Sequence, residues 1–330
     1  MKTPHHIFST ITLLGLAWWP CAMPALAQSP TPRYADVMRE TPACPFIMSD
    51  IELCRITQCD AEGKAFWIYD KQVKPIDVWA MPDGTVLIAY LPSPLTKNMG
   101  GVRLVDAEQK TVFDFPFNDE IMSVQPLDNG NFLMAECHSG RITEMDRQGQ
   151  RIRSFNVATK PSGHQTVRQI RLTPQGTVLA AECYSHKLRE YDRTGKLLRE
   201  IDLRYVYYPV PLPNGHILAG CWNHPEAQVV ELDAQGKIIW NIKAAELPKA
   251  MGVMHIAGVA RLPNGNTLVS TSCKAGKAPN PRVMLFEITP DKKIVWQKLD
   301  QDGSSWLSAV KLIPSWTPAL KVPPRQENKP

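Results

Sequence analysis

Several things are missing from this chain of 330 residues. There is no Gly-x-x-x-x-Gly-Lys-Ser/Thr phosphate loop, no His-Glu-x-x-His pair and no Gly-x-Ser-x-Gly elbow. Those absences remove P-loop nucleotide hydrolases, zincin-type metalloproteases and α/β-hydrolases. Basic residues do not cluster: 37 Lys and Arg face 32 Asp and Glu and are spread along the chain. A nucleic-acid role needs a basic patch, so none is expected. Beyond the N-terminus no apolar run is long enough to span a membrane. Cys44, Cys54 and Cys59 lack the spacing of a zinc finger. Helical periodicity is almost absent, with Ala244 to Ala250 the best candidate.

The N-terminus carries its own signal. Residues 1–27 read as a secretory peptide: Lys2, an apolar core from Ile11 to Trp19, then Ala25-Leu26-Ala27 before Gln28. Pro20 before Cys21 does not suit lipid attachment. The expectation is a secreted or periplasmic protein. Its mature form keeps 36 basic against 32 acidic residues, a net charge of +4, and seven of the eight Cys. The compartment permits disulfides, and an odd count leaves one thiol over. Cys44 with Cys54 or Cys59 is a plausible local staple.

What is present is a repeat. Leu212 to Lys243 reads as two hairpins in series, turning at Pro213-Asn214-Gly215 and at Asp233-Ala234-Gln235-Gly236-Lys237. The first turn recurs as Pro82-Asp83-Gly84, Asp128-Asn129-Gly130, Pro174-Gln175-Gly176 and Pro263-Asn264-Gly265, with glycines 46, 46, 39 and 50 residues apart. The second recurs at Asp60 to Lys64, Asp146 to Gln150 and Asp192 to Lys196. Two weaker copies have Gln109 and Lys292 where the others have Gly. Four strands every ~40–50 residues specify a β-propeller.

Five full blades are legible, at residues 76–115, 121–155, 167–201, 206–242 and 256–299. Ser305 to Pro314 looks like a further first strand, and the segments flanking Asp60 to Lys64 lack one. The expected fold is therefore all-β: a six-bladed β-propeller of four-stranded antiparallel blades, closed by N- and C-terminal strands that share one blade. The expected organisation is a signal peptide (1–27), an extended lead-in (28–43), the propeller (44–316) and a Pro-rich tail (317–330). Trp67, Trp240 and Trp296 recur after the second turn and are expected to wedge blades together.

The repeat form, Leu-Pro-Asn-Gly-x-x-Leu followed by Val-x-Glu-x-Asp-x-x-Gly-Lys-x-x-Trp, resembles exported propellers of the PQQ-like and arylsulfotransferase-like type. The resemblance covers roughly Leu53 to Trp316. It implies the architecture. The arylsulfotransferase-like enzymes use a histidine acceptor, but their full active-site pattern does not match this chain. No catalytic residue is carried over.

The residues themselves point to one face. In a meander both turn types fall on one side of the ring, and the middle loops and blade-to-blade links fall on the other. Of the mature histidines only His216 belongs to the turn side. His138, His186 and His224 lie by middle loops; His164 and His255 precede first strands. Glu136-Cys137-His138 and Glu182-Cys183-Tyr184 occupy matching positions, and Cys221-Trp222 follows one blade later. Arg168, Tyr207 and Tyr208 enter at the starts of first strands, which line the channel. The expected site is a channel mouth with His164, His255 and His138 as candidate catalytic groups. Arg168, Tyr207, Tyr208, Trp222, His186, His224, Glu136 and Glu182 are the candidate ligand contacts. Arg168 is expected to attract an anion and to keep a nearby histidine neutral. Asn118, Asp119 and Asn223 add possible calcium ligands without diagnostic spacing, and no metal site is assigned. The cofactor is unknown, as is the oligomeric state. Two functions stay open. One is a binding protein for a small molecule, glycan or protein; the other is an enzyme of lyase, lactonase or sulfuryl-transfer type.

Overall fold

The computed structural model describes residues 44–313, except 162, 165, 224, 273–281 and 301–303. The expected signal peptide, lead-in and C-terminal tail lie outside them, as do His224 and the middle loop after Ser272. Twenty-four strands form six four-stranded antiparallel sheets. Blade 1 holds β4 (Lys74–Ala80), β5 (Val86–Leu91), β6 (Gly100–Val105) and β7 (Thr111–Phe117). Blade 2 holds β8 (Ile121–Pro126), β9 (Phe132–Glu136), β10 (Arg141–Met145) and β11 (Arg151–Asn156). Blade 3 runs from β12 (Ile170–Leu172) and β13 (Val178–Glu182) to β14 (Lys187–Tyr191) and β15 (Leu197–Asp202). Blade 4 comprises β16 (Val206–Pro211), β17 (Ile217–Cys221), β18 (Gln228–Leu232) and β19 (Ile238–Lys243). Blade 5 comprises β20 (His255–Arg261), β21 (Thr267–Ser272), β22 (Arg282–Ile288) and β23 (Ile294–Asp300).

The closing blade has the order β24-β1-β2-β3, from β24 (Leu307–Leu312), β1 (Phe46–Asp50), β2 (Arg55–Cys59) and β3 (Ala65–Asp70). Chain ends far apart in sequence thus share one sheet. Phe46 faces Leu312 and Met48 faces Val310 in register, and Ser49 Oγ meets Ser308 Oγ at 2.7 Å. This closure leaves neither end of the ring with an open edge.

The Asp-x-x-Gly-Lys turns have a local cause. The Asp carboxylate accepts backbone N–H bonds from residues ahead of it, as Asp146 does from Gln148 at 2.9 Å and Gln150 at 2.8 Å. In the next position the chain needs positive φ, which glycine adopts without strain. The turns also interlock the rim. A Cβ added at Gly63, Gly149 or Gly236 would come within 2.7–2.8 Å of Trp296, Phe115 or Ile201 of the preceding blade. A Cβ at Gly195 would strike Phe155. Where Gln109 and Lys292 replace the glycine, at φ 68° and 65°, the neighbouring tryptophan bonds instead to backbone. Trp67 Nε1 donates to Ala107 O at 3.0 Å and Trp240 Nε1 to Pro290 O at 2.8 Å. One apolar residue per blade therefore keys each blade to the next.

Some expectations need correction. Ala244 to Ala250 is not one helix but two short 3-10 turns, Ala244–Glu246 and Lys249–Met251, divided by Pro248. Cys54 lies in the tight turn before β2 at φ 50°, and Cys59 ends that strand. Both Cys54 and Cys59 are thiols, so neither staples Cys44.

Candidate functional site

Four connections on the middle-loop face converge next to the axis. The link between β7 and β8 brings Asp119 and Glu120. Asp119 is spent on structure: its carboxylate accepts the backbone N–H groups of His138 at 2.8 Å and Ser139 at 3.1 Å, tying down the β9–β10 loop. The link into blade 3 turns at Gly163, whose carbonyl accepts Thr166 Oγ1 at 2.9 Å, and this turn presents His164. Arg168 N then donates to Ala181 O at 2.8 Å, placing Arg168 two residues before β12, with its side chain beside the axis.

These residues form one connected chain of polar contacts. His164 Nδ1 bonds to Glu120 Oε2 in a short contact, and Arg168 Nη1 lies 3.1 Å from His164 Nε2. A guanidinium only donates, so Nε2 is the acceptor and Nδ1 carries the proton. His164 is thus neutral here, fixed between an anion and a cation. Arg168 Nη2 donates to the Tyr207 hydroxyl at 2.7 Å, and the guanidinium lies 4.5 Å from the centre of that ring. His138 shares the acids, with Nδ1 3.4 Å from Asp119 and Nε2 3.8 Å from Glu120.

Burial separates these groups. His138 and His164 are each 49% exposed, whereas Arg168 is 6% exposed. Burial raises the Glu120 carboxyl, but the bond from His164 and the nearby His138 and Arg168 outweigh it and hold it below the ordinary range. Burial works against the Arg168 charge, and neighbouring Tyr207, Cys137 and Cys183 outweigh it. The Cys183 thiol is pushed up to about 12 by burial, so it is not a thiolate at neutral pH. No carboxylate among the described residues makes a direct ion pair with Arg168, and its Nε has no partner there.

A row of rings continues from Tyr207 across blades 4 and 5. Tyr207 and Trp222 lie 6.5 Å apart at 25°, and Trp222 stacks on His255 at 4.4 Å and 14°. Trp222 Nε1 donates to Ser272 Oγ at 3.2 Å, which holds the indole between the blades. His255 Nδ1 lies 3.0 Å from Trp222 O. A carbonyl only accepts, so Nδ1 carries a proton. His164 and His255 are therefore on one face, joined through Arg168, Tyr207 and Trp222.

The remaining predicted residues sit elsewhere. Glu136 is buried inside blade 2, bonded to Thr143 at 2.7 Å and to Arg151 at 2.9 Å. Glu182 repeats this in blade 3, accepting from Tyr191 at 2.5 Å and pairing with Arg189. Both hold strands of their own blade together rather than facing the mouth. His186 adopts φ 58° and accepts Tyr205 N at 3.2 Å, so it shapes the β14–β16 region. Tyr208 points the other way from Tyr207, into the axis, where its hydroxyl reaches Val310 O at 3.4 Å. His224 lies outside the described residues.

The axis itself is plugged by charge. Asp77 is 0% exposed and meets Arg171 Nη1 at 3.1 Å, Ser123 Oγ at 2.9 Å and Lys311 Nζ in a short contact. Arg171 lies 4.6 Å from the centre of the Tyr208 ring, and Lys311 lies 4.0 Å from that of Trp79. Burial disfavours the Asp77 charge, but Arg171 and Lys311 outweigh it and hold the carboxyl low. Burial and Arg171 together push the Lys311 ammonium down. Residues from four blades and the closing strand meet here and fill the axis at this level.

Glu120 escaped the sequence reading. It stands directly before a first strand, the position that singled out His164 and His255, so its place was readable although its role was not. Among the described residues, no three His, Cys, Asp or Glu side chains are arranged to hold a metal. No helix there is long and apolar enough to cross a membrane.

No protein-family model matches the chain, and no curated protein matches it. Solved structures do. A protein of unknown function from Bacteroides caccae aligns at TM-score 0.69 and 20% identity, covering 83% of this chain and 100% of that one. A streptogramin B lyase aligns at TM-score 0.55 and 14% identity over 83% and 95% of the two chains. A catalytically inactive histidine variant of virginiamycin B lyase from Staphylococcus aureus, with quinupristin, aligns at 0.54 and 13% over 81% and 88%. At such identities the likeness is one of fold: this chain is a six-bladed β-propeller, built like these lyases and like propellers of unknown function.

Proposed function

We propose that this chain is an exported propeller that binds a polar, anionic small molecule at the mouth above the axial plug, either free or as a group on a glycan or protein. The observation that carries this reading is Arg168. The residue is 6% exposed, yet its hydrogen-bond partners are an imidazole nitrogen and a phenol rather than a carboxylate. A buried charge ordinarily has a counter-charge in contact. The missing partner is supplied, on this reading, by the ligand. Export rests on the N-terminal sequence alone, and kinship with PQQ-like or arylsulfotransferase-like propellers rests on the repeat form alone.

Calorimetric titration with acetate, sulfate and galacturonate tests the reading. At least one should bind the wild type, and Arg168→Gln should abolish that binding while still unfolding cooperatively. Equal binding by both proteins would refute the site.

A second reading is catalysis of the lyase type. His255 favours it, since its bond to Trp222 O and its stacking on Trp222 fix an imidazole at the end of the ring row, where it would serve as the acid or base. The two lyases of like fold supply a first substrate to try. Loss of quinupristin on incubation, followed by mass spectrometry and abolished by His255→Ala, would support it. Unchanged quinupristin would remove that substrate and leave the binding reading in place.

A further inference from the structure

Anion capture at Arg168 carries a consequence for His164. The two side chains satisfy each other directly: Arg168 Nη1 donates 3.1 Å to His164 Nε2. That bond exists only while Nε2 is unprotonated. Protonating His164 in the empty site would set an imidazolium N–H against a guanidinium N–H, two cations in contact with no acceptor between them. The other face of the ring is prepared for the opposite state, because Nδ1 already donates to the Glu120 carboxylate.

Resting on the binding reading above, we propose that the ligand is an oxyanion taken up together with one proton, which lodges on His164 Nε2. In the bound state an oxygen of the ligand sits between Arg168 Nη1 and His164 Nε2. It replaces the direct bond with two charge-assisted ones. The proton comes from solvent, which reaches the imidazole because His164 is 49% exposed. No bond other than N–H forms, and the added positive charge is neutralised by the ligand in front and Glu120 behind. Charges balance in both states: Glu120⁻ and Arg168⁺ without ligand, and Glu120⁻, His164⁺, Arg168⁺ and the oxyanion with it.

The surroundings favour this. From the β7–β8 link come Glu120 and Asp119, both carboxylates. From the β9–β10 loop comes His138, 3.8 Å from the same Glu120 oxygen. From the link into blade 3 comes Arg168, and from β16 comes Tyr207, which bonds to Arg168 and not to His164. Among the described residues, the only fixed cation against His164 is Arg168, the group that the ligand neutralises. The burial of Arg168 beside the buried Cys137 and Cys183 thiols keeps that cation from being screened by water. A ligand without a negatively charged oxygen gains nothing from this arrangement, so neutral sugars and cations are excluded as primary ligands.

The test is calorimetry with acetate and sulfate at several pH values, in paired buffers of different ionisation heat so that protons are counted. The expected result is uptake of close to one proton per anion at pH above the ordinary imidazole range. Affinity should weaken by up to about tenfold per pH unit there. His164→Gln should bind with no proton uptake and a flat pH dependence. His138→Gln keeps the wild-type slope, which separates the two imidazoles. Binding without proton uptake in the wild type would overturn the inference and leave the anion site intact. No binding of either anion at any pH would overturn the site itself.

Discussion

Arg168 and Arg171 leave the same short stretch of chain, and both are buried. They do opposite things. Arg171 points into the axis, where Asp77 accepts it through both carboxylate oxygens and residues of other blades complete the shell. Arg168 instead meets Nε2 of His164 and the phenol of Tyr207. The first cation is compensated from within, so its work is to hold blades together. The second is compensated at one remove, through His164 to Glu120, and on the proposed reading a ligand supplies the direct counter-charge. Where a buried charge finds its counter-charge thus distinguishes a structural group from a receptive one.

The largest expected effect comes from breaking the ring. Deleting residues after Asp300 removes β24 and with it Lys311, opening both the closing blade and the plug. Cooperative unfolding should be lost or the melting temperature should fall steeply. A truncated chain that melts like the full one would contradict the closure. Next comes Asp77→Asn, which leaves Arg171 and Lys311 facing each other without an anion. Breaking a buried pair from one side costs about 3–5 kcal/mol, measurable by urea unfolding. Lys311→Met removes the cation that burial and Arg171 already disfavour, and should stay within about 1–2 kcal/mol of wild type. The Arg168→Gln variant sharpens the contrast: a stability change of about 1 kcal/mol or less, because no ion pair is broken, together with lost anion binding. A loss as large as that of Asp77→Asn would make Arg168 structural as well.

The smallest effect concerns Asp50, buried beneath the closure, where it accepts Leu53 N at 3.0 Å and Trp306 N at 3.1 Å. Burial raises its pKa despite those bonds. An acid whose folded pKa exceeds its unfolded value favours folding while protonated, and that contribution is lost as pH rises through the folded pKa. Asp50→Asn should therefore be as stable as wild type, or slightly more so, at neutral pH. The difference should vanish in acid. Thermal melts at about pH 3.5 and 7 read the sign, and a variant less stable only at neutral pH would contradict it.

The fold was legible because a propeller repeats its turns. Asp146 and its counterparts must accept backbone N–H groups, and Gly149 must fit under Phe115; these demands recur in sequence. Even the departures carried meaning, since Gln109 and Lys292 mark the two places where a tryptophan bonds to a carbonyl instead of packing on a glycine. The site was legible only in part. Position before or at the start of a first strand grouped His164, Arg168, Tyr207 and His255, and polar and ring contacts link them in the fold. It did not show that Glu136 and Glu182 turn inward to Arg151 and Arg189. Alternation along β16 sends Tyr208 to the axis while Tyr207 faces the mouth, and that parity depends on a register shift between Val206 and Tyr208. The plug was invisible for a different reason: Asp77, Ser123, Arg171 and Lys311 come from four separate blades, and nothing local links them.

The most direct test of the central claim is a crystal structure grown with selenate, located by its anomalous signal. The account predicts a selenium peak at the mouth with an oxyanion oxygen within about 3 Å of both Arg168 Nη1 and His164 Nε2, and Arg168 no longer bonded to His164. A mouth without selenate, in which Arg168 still donates to His164 at an anion concentration that saturates binding in solution, would contradict it.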